Sequence, residues 1–131
     1  MSSNGKLSSP LFNVRVDGGI AVLQAKDRAF LNSQAKEFNR LFEELKSLSI
    51  VKYILDFSNC DYVSSEGLNF TAQCWKWCYE NGNGSMAVVI PDDPANDVRR
   101  LFDNIGLSYM IGASLRPTVA DAEKYLQGLP A

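Results

Sequence analysis

From residue 11 to residue 16 the chain alternates, with Phe12, Val14 and Val16 on one side and Leu11, Asn13 and Arg15 on the other. That is the period-two pattern of a strand with one buried face. Asp17-Gly18-Gly19 supplies a turn, and residues 20–25 return as a second strand, so the two predict a hairpin. The period then becomes 3.6: Ala35, Phe38, Leu41, Phe42 and Leu45 form one stripe, and Glu37, Arg40, Glu43 and Glu44 occupy the wet face. This predicts a helix capped by Asn32 or Ser33 and ending near Lys46. Residues 50–57 are richer in apolar side chains, as expected of a central strand covered on at least one side.

A second helix is expected to start at Ser64 or Ser65 and to bury Leu68, Thr71, Ala72, Trp75, Cys78 and Tyr79, before Asn81-Gly82-Asn83-Gly84 stops it. Residues 86–90 read as a short strand ending at Pro91. Residues 95–104 read as a third helix with Val98, Leu101 and Phe102 inward, and residues 108–111 as a short final strand. A capped terminal helix over 118–127 turns Val119, Ala122, Tyr125 and Leu126 to the core. Repeated strand-helix-strand units require right-handed crossovers. The fold class is α/β: a mixed, mostly parallel sheet of about five strands, an N-terminal antiparallel hairpin at its edge, and about four helices. Residues 1–10 are small and polar and read as a flexible tail, leaving 11–131 as a single domain.

Composition narrows the chemistry. Hydrophobic residues make up 46% and charged residues 21% of the chain, the balance of an ordinary globular domain. Thirteen basic and fifteen acidic residues give a net charge of −2, with no basic cluster of the kind nucleic acid requires. Histidine is absent, which removes the commonest general base and metal ligand. Cys60, Cys74 and Cys78 are odd in number, and no secretory signal or long apolar run precedes them. A reducing cytosol is the simplest compartment, with no membrane insertion. Cys74 and Cys78 lie four apart on a predicted helix but lack partner ligands, so they read as buried thiols; no metal or cofactor is expected.

The stretch from Tyr53 to Leu68 carries the functional signal. It runs from a buried-type strand through Ser64-Ser65 into a helix and offers a hydroxyl at a helix N-terminus, where free N–H groups and the helix dipole favour an anion. Such a serine is either a simple N-cap or a phosphorylation switch. Leu55-Asp56-Phe57-Ser58, followed by Tyr62-Val63-Ser64-Ser65-Glu66-Gly67-Leu68, resembles the signature of STAS domains, specifically bacterial anti-sigma factor antagonists. Val98-Arg99-Arg100-Leu101-Phe102-Asp103-Asn104-Ile105-Gly106-Leu107 is similar to a second family segment at the third helix, so the resemblance covers about residues 11 to 127.

That resemblance implies a phosphoacceptor at Ser65 and a switch between partners: a GHKL-type anti-sigma kinase that binds and phosphorylates the domain, and a PP2C-like phosphatase that reverses the reaction. ATP and Mg would belong to the kinase, since the chain has no Walker loop. Ser64 stands where the family usually has an acidic residue, and Glu66 where it has a second serine. A family acidic residue before the first helix falls on Asp27 or Ala29. The expected partner-binding surface comprises Ser64, Glu66, Gly67, Asp27, Asn59, Asn69 and Trp77, largely on the helix from Ser65 to Glu80. Trp77 is either an exposed anchor or partly buried at the domain edge. The alternative function is a STAS scaffold that is never phosphorylated and binds a small molecule or a transport-system partner. An enzyme is not expected, because a GxSxG elbow and any histidine are missing.

Overall fold

The computed structural model describes residues 7–81, 85–93 and 95–128. The opening hairpin forms as expected: β1 (Phe12–Asp17) and β2 (Ile20–Ala25) pair antiparallel from Phe12 opposite Ala25 to Asp17 opposite Ile20. Gly18 and Gly19 both take positive φ, 59° and 80°, the conformation that a two-residue hairpin turn demands. There follow β3 (Ala29–Phe30), α1 (Asn32–Ser47), β4 (Lys52–Asp56), β5 (Tyr62–Val63), α2 (Ser65–Asn81) and β6 (Met86–Val89). The chain closes with α3 (Asp97–Asn104), α4 (Leu107–Ile111), a 3-10 turn over Gly112–Ser114, β7 (Leu115–Arg116) and α5 (Val119–Gln127).

Five strands form one sheet in the order β1-β2-β4-β6-β7, parallel except for the hairpin. β4 is therefore central, and its apolar run Tyr53-Ile54-Leu55 follows from burial on both faces. On one face Leu23, Tyr53, Leu55 and Met86 join Phe38, Leu41 and Leu45 of α1 and Cys74 and Cys78 of α2 in the larger core. On the other, Val22, Ile54, Ala87 and Val89 meet Ala122 and Leu126 of α5.

All five apolar positions assigned to α1 are buried. Its cap differs from expectation. The helix starts at Asn32 behind Leu31, and the orphan N–H of Leu31 is satisfied by the Gln34 side chain at 2.9 Å. In β1, Phe12 is buried but Val16, at the turn end of the edge strand, is exposed. The buried stripe of α2 is Gly67, Thr71, Cys74 and Cys78, flanked by half-buried Leu68, Ala72 and Trp75, and Tyr79 lies outside the core.

The expected final strand at 108–111 is instead helix α4, and β7 comes later. Gly106, at φ 80°, turns the chain sharply after α3, and Leu107 and Ile111, four apart, then reach the core together. The described residues thus hold five α-helices rather than four. Leu7 packs against the larger core, the Ser9 hydroxyl accepts the N–H groups of Leu11 and Phe12, and Arg40 donates to the Ser8 carbonyl. Within the span read as a tail, residues 7–10 therefore lie along the domain; residues 1–6 fall outside the described residues.

Candidate functional site

β2 and β4 run parallel, so the loops that leave their C-terminal ends, residues 26–28 and 57–61, emerge at one edge of the sheet. Both loops then enter a small parallel ladder in which Ala29 faces Tyr62 and Phe30 faces Val63. β3 leads at once into α1, and β5 into α2, so this register starts the two helices level with one another. The loops are cross-tied. Arg28 accepts the N–H of Asp61 on its carbonyl at 2.7 Å and donates from its guanidinium to the Asp61 carboxylate at 2.8 Å. Asn59 donates to the Ala25 carbonyl at 3.2 Å, and Gln34 to the Asp27 carboxylate at 2.9 Å.

The paired serines have different surroundings. Ser64 is 8% exposed. Its N–H donates to the Phe30 carbonyl at 2.9 Å, and its Oγ accepts the N–H of Gly67 at 3.1 Å. Ser64 is thus the N-cap of α2, a place the sequence left open between it and Ser65. Ser65 begins the helix and is exposed. Glu66, also exposed, puts a carboxylate in the first turn. Gly67 is buried because α2 is pressed against the ladder: a Cβ there would lie 2.6 Å from the Phe30 ring and 3.0 Å from Val63.

Asp27, Asn59, Ser64, Ser65, Glu66 and Gly67 therefore belong to one end of the domain, and exposed Asn69 follows one helical turn below Ser65. Trp77 does not join them. It lies twelve positions along α2, about 18 Å by helical rise, with its ring edge-on to Phe42 at 5.6 Å and under the Lys46 ammonium at 4.5 Å. It is 38% exposed, partly buried at the edge of the domain. The remaining acidic-residue choice, Ala29, is a strand residue of β3 with no charge to offer.

Sequence reasoning missed Gln34, a buried amide that ties α1 to Asp27, and the polar stripe Asn32, Lys36 and Asn39 facing α2. The i, i+4, i+7 spacing of that stripe was a readable signal. All three thiols are buried, as expected. Cys60, in the loop before β5, has its pKa pushed up to about 12, first by burial and then by the carboxylates of Asp56, Asp61 and Asp27. It is an inert packing group, not a nucleophile. Among the described residues no cluster of ligating side chains could hold a metal ion, and no helix is long and apolar enough to cross a membrane.

Comparison with solved structures places this architecture. An anti-sigma factor antagonist from Mycobacterium paratuberculosis superposes with a TM-score of 0.70 at 23% identity, over 92% of this chain and 98% of its own. A candidate anti-sigma factor antagonist from Thermotoga maritima gives 0.71 at 15% identity, over 90% and 96%. The antagonist SpoIIAA in its unphosphorylated form gives 0.63 at 13%, over 89% and 98%. This is the SpoIIAA-like fold. No family model and no curated protein sequence matches the chain, so the likeness rests on three-dimensional arrangement. That fold, also called STAS, is matched across nearly the whole length of this chain.

Proposed function

We propose that the protein is an anti-sigma factor antagonist: a binding module that docks on an anti-sigma kinase of the GHKL type when Ser65 is unmodified and is released when Ser65 is phosphorylated. One observation carries this reading. Ser65 stands exposed at the first position of α2, while its neighbours Ser64 and Gly67 are buried and fixed. Support comes from the SpoIIAA-like fold, and from the description of one matched protein, SpoIIAA, in an unphosphorylated form.

The switch is electrostatic. Phosphorylation adds about −1.5 to −2 charges at pH 7. An interface that closes over a neutral hydroxyl would have to desolvate that charge, and a loss of about 3 kcal/mol weakens binding by about two orders of magnitude. The first-turn N–H groups stabilise the phosphate. The neighbouring Glu66 carboxylate opposes it, by about 1 kcal/mol at solvent-like dielectric, which favours removal by a PP2C-like phosphatase. Because the new charge sits at a helix start already fixed by Ser64 and Gly67, the domain need not refold to switch.

Incubation of the domain with ATP and its cognate kinase, followed by mass spectrometry and binding measurements, tests this reading. One phosphate is expected on Ser65 and none on Ser65→Ala, with Ser65→Asp binding the kinase at least tenfold more weakly. A domain that is never modified and binds its partner equally well as Ser65→Asp would instead be a phosphorylation-independent scaffold.

A further inference from the structure

Because β3 and β5 start α1 and α2 level, the two helices face each other across a solvent-open groove of about 540 Å³ whose lining includes Glu66, the residue after Ser65. One wall carries Asn32, Lys36 and Asn39, the other Glu66, Asn69 and Gln73. None of these six side chains makes a hydrogen bond or ion pair with another described residue. Elsewhere on the same α1 the charged side chains do pair, Glu37 with Arg40 and Glu43 with Lys46. Four of the six are carboxamides, each offering a donor and an acceptor in one plane, as a peptide group does. Between the walls lie only Ala35 and the half-buried ring of Phe70, which packs edge-on to Phe38 at 5.5 Å.

We infer that this groove seats an extended peptide segment of a protein partner, with its main-chain amides on the Asn and Gln side chains and a small side chain over Ala35 and Phe70. Residues 32–39 span about 10 Å of helix, the length of about three residues of extended chain. An amphipathic helix is excluded as occupant: it would need apolar anchors along two turns, and the groove offers two apolar residues. A nucleic acid or an anionic membrane is excluded because the single lysine is offset by Glu66 across the groove. Closing the walls over an apolar ligand would strip water from four carboxamides without replacing their hydrogen bonds, whereas main-chain amides replace them. Ser65 and Asn69 are four apart on one face of α2, so a segment lying in the groove continues onto Ser65. That this segment belongs to the kinase rests on the function proposed above; the peptide preference of the groove does not.

A random peptide library displayed on phage and selected against the immobilised full chain tests the inference, with the side-chain NH₂ signals of ¹⁵N-labelled protein as the readout. Enriched peptides are expected to shift the signals of Asn32, Asn39, Asn69 and Gln73. They should bind at least tenfold more weakly to Asn39→Ala/Gln73→Ala, whose unfolding midpoint should be unchanged because neither side chain is bonded within the fold. No enriched binder, binders that shift signals elsewhere, or binding indifferent to the double substitution would each overturn it. Ser65 phosphorylation by the kinase is measured on the same proteins. Peptides in the groove without phosphate on Ser65 remove the switch and keep the groove, and the converse removes the groove alone.

Discussion

At the start of α2, two adjacent hydroxyls are separated by what the preceding ladder can reach. Ser64 gives its N–H to Phe30 and its Oγ to the N–H of Gly67, whereas the Ser65 side chain points to solvent. Ser64→Ala should therefore cost about 1 kcal/mol of stability, and Ser65→Ala less than about 0.5 kcal/mol, as read from urea unfolding midpoints. Gly67→Ala pits two effects against each other. Alanine favours a helix by up to about 1 kcal/mol, but its Cβ would overlap Phe30 and Val63, an overpacking that costs about 1–3 kcal/mol. The overlap should win, since the contacts include backbone and a fully buried ring; a stabilised Gly67→Ala protein would show that α2 can shift away from the ladder. The motif around Ser65 was legible in the sequence. The division of labour between Ser64 and Ser65 was not, because it depends on a carbonyl more than thirty residues away.

At the scale of elements, the long periodic segments were the readable ones: every assigned inward position of α1 is buried. The stripe of α2 was displaced by about one position at its middle, since Cys74 rather than Trp75 is buried beside Thr71 and Cys78. Apolar residues surround much of that helix, so periodicity alone did not fix its rotation; close packing of Gly67 against β3 did. Leu107-Ser108-Tyr109-Met110-Ile111 is too short to reveal a period, and its β-favouring residues suggested a strand. Gly106 decides the matter through its backbone, because a Cβ there would meet nothing within 4 Å. Gly106→Ala should lower stability by about 1–2 kcal/mol through the left-handed conformation alone, and Gly106→Asn by less. Equal stability of Gly106→Ala and the parent in thermal unfolding would mean that α4 forms without that turn.

For the whole molecule, the three thiols report how tightly the two layers close. Each has its pKa raised from 9.0 to about 12, chiefly by burial. The unfolded chain loses these protons near pH 9 and the folded chain keeps them to about pH 12. Their contribution is thus complete below pH 9 and is lost as pH rises from 9 to 12. Cys74→Ala/Cys78→Ala should flatten the fall of stability between pH 9 and 11; an unchanged slope would place the cause elsewhere. By itself the sequence determined the first four strands of the main sheet and the longer helices, the burial of the cysteines and the segment holding the exposed serine, since repeating burial patterns and local motifs are written in neighbouring residues. Only the tertiary structure decided which serine is locked, how α2 is rotated, that α1 and α2 begin level, and that an unbonded amide groove lies between them. Those features arise where residues distant in the chain meet, in the pairing of Phe30 with Val63 and the approach of Gly67 to both.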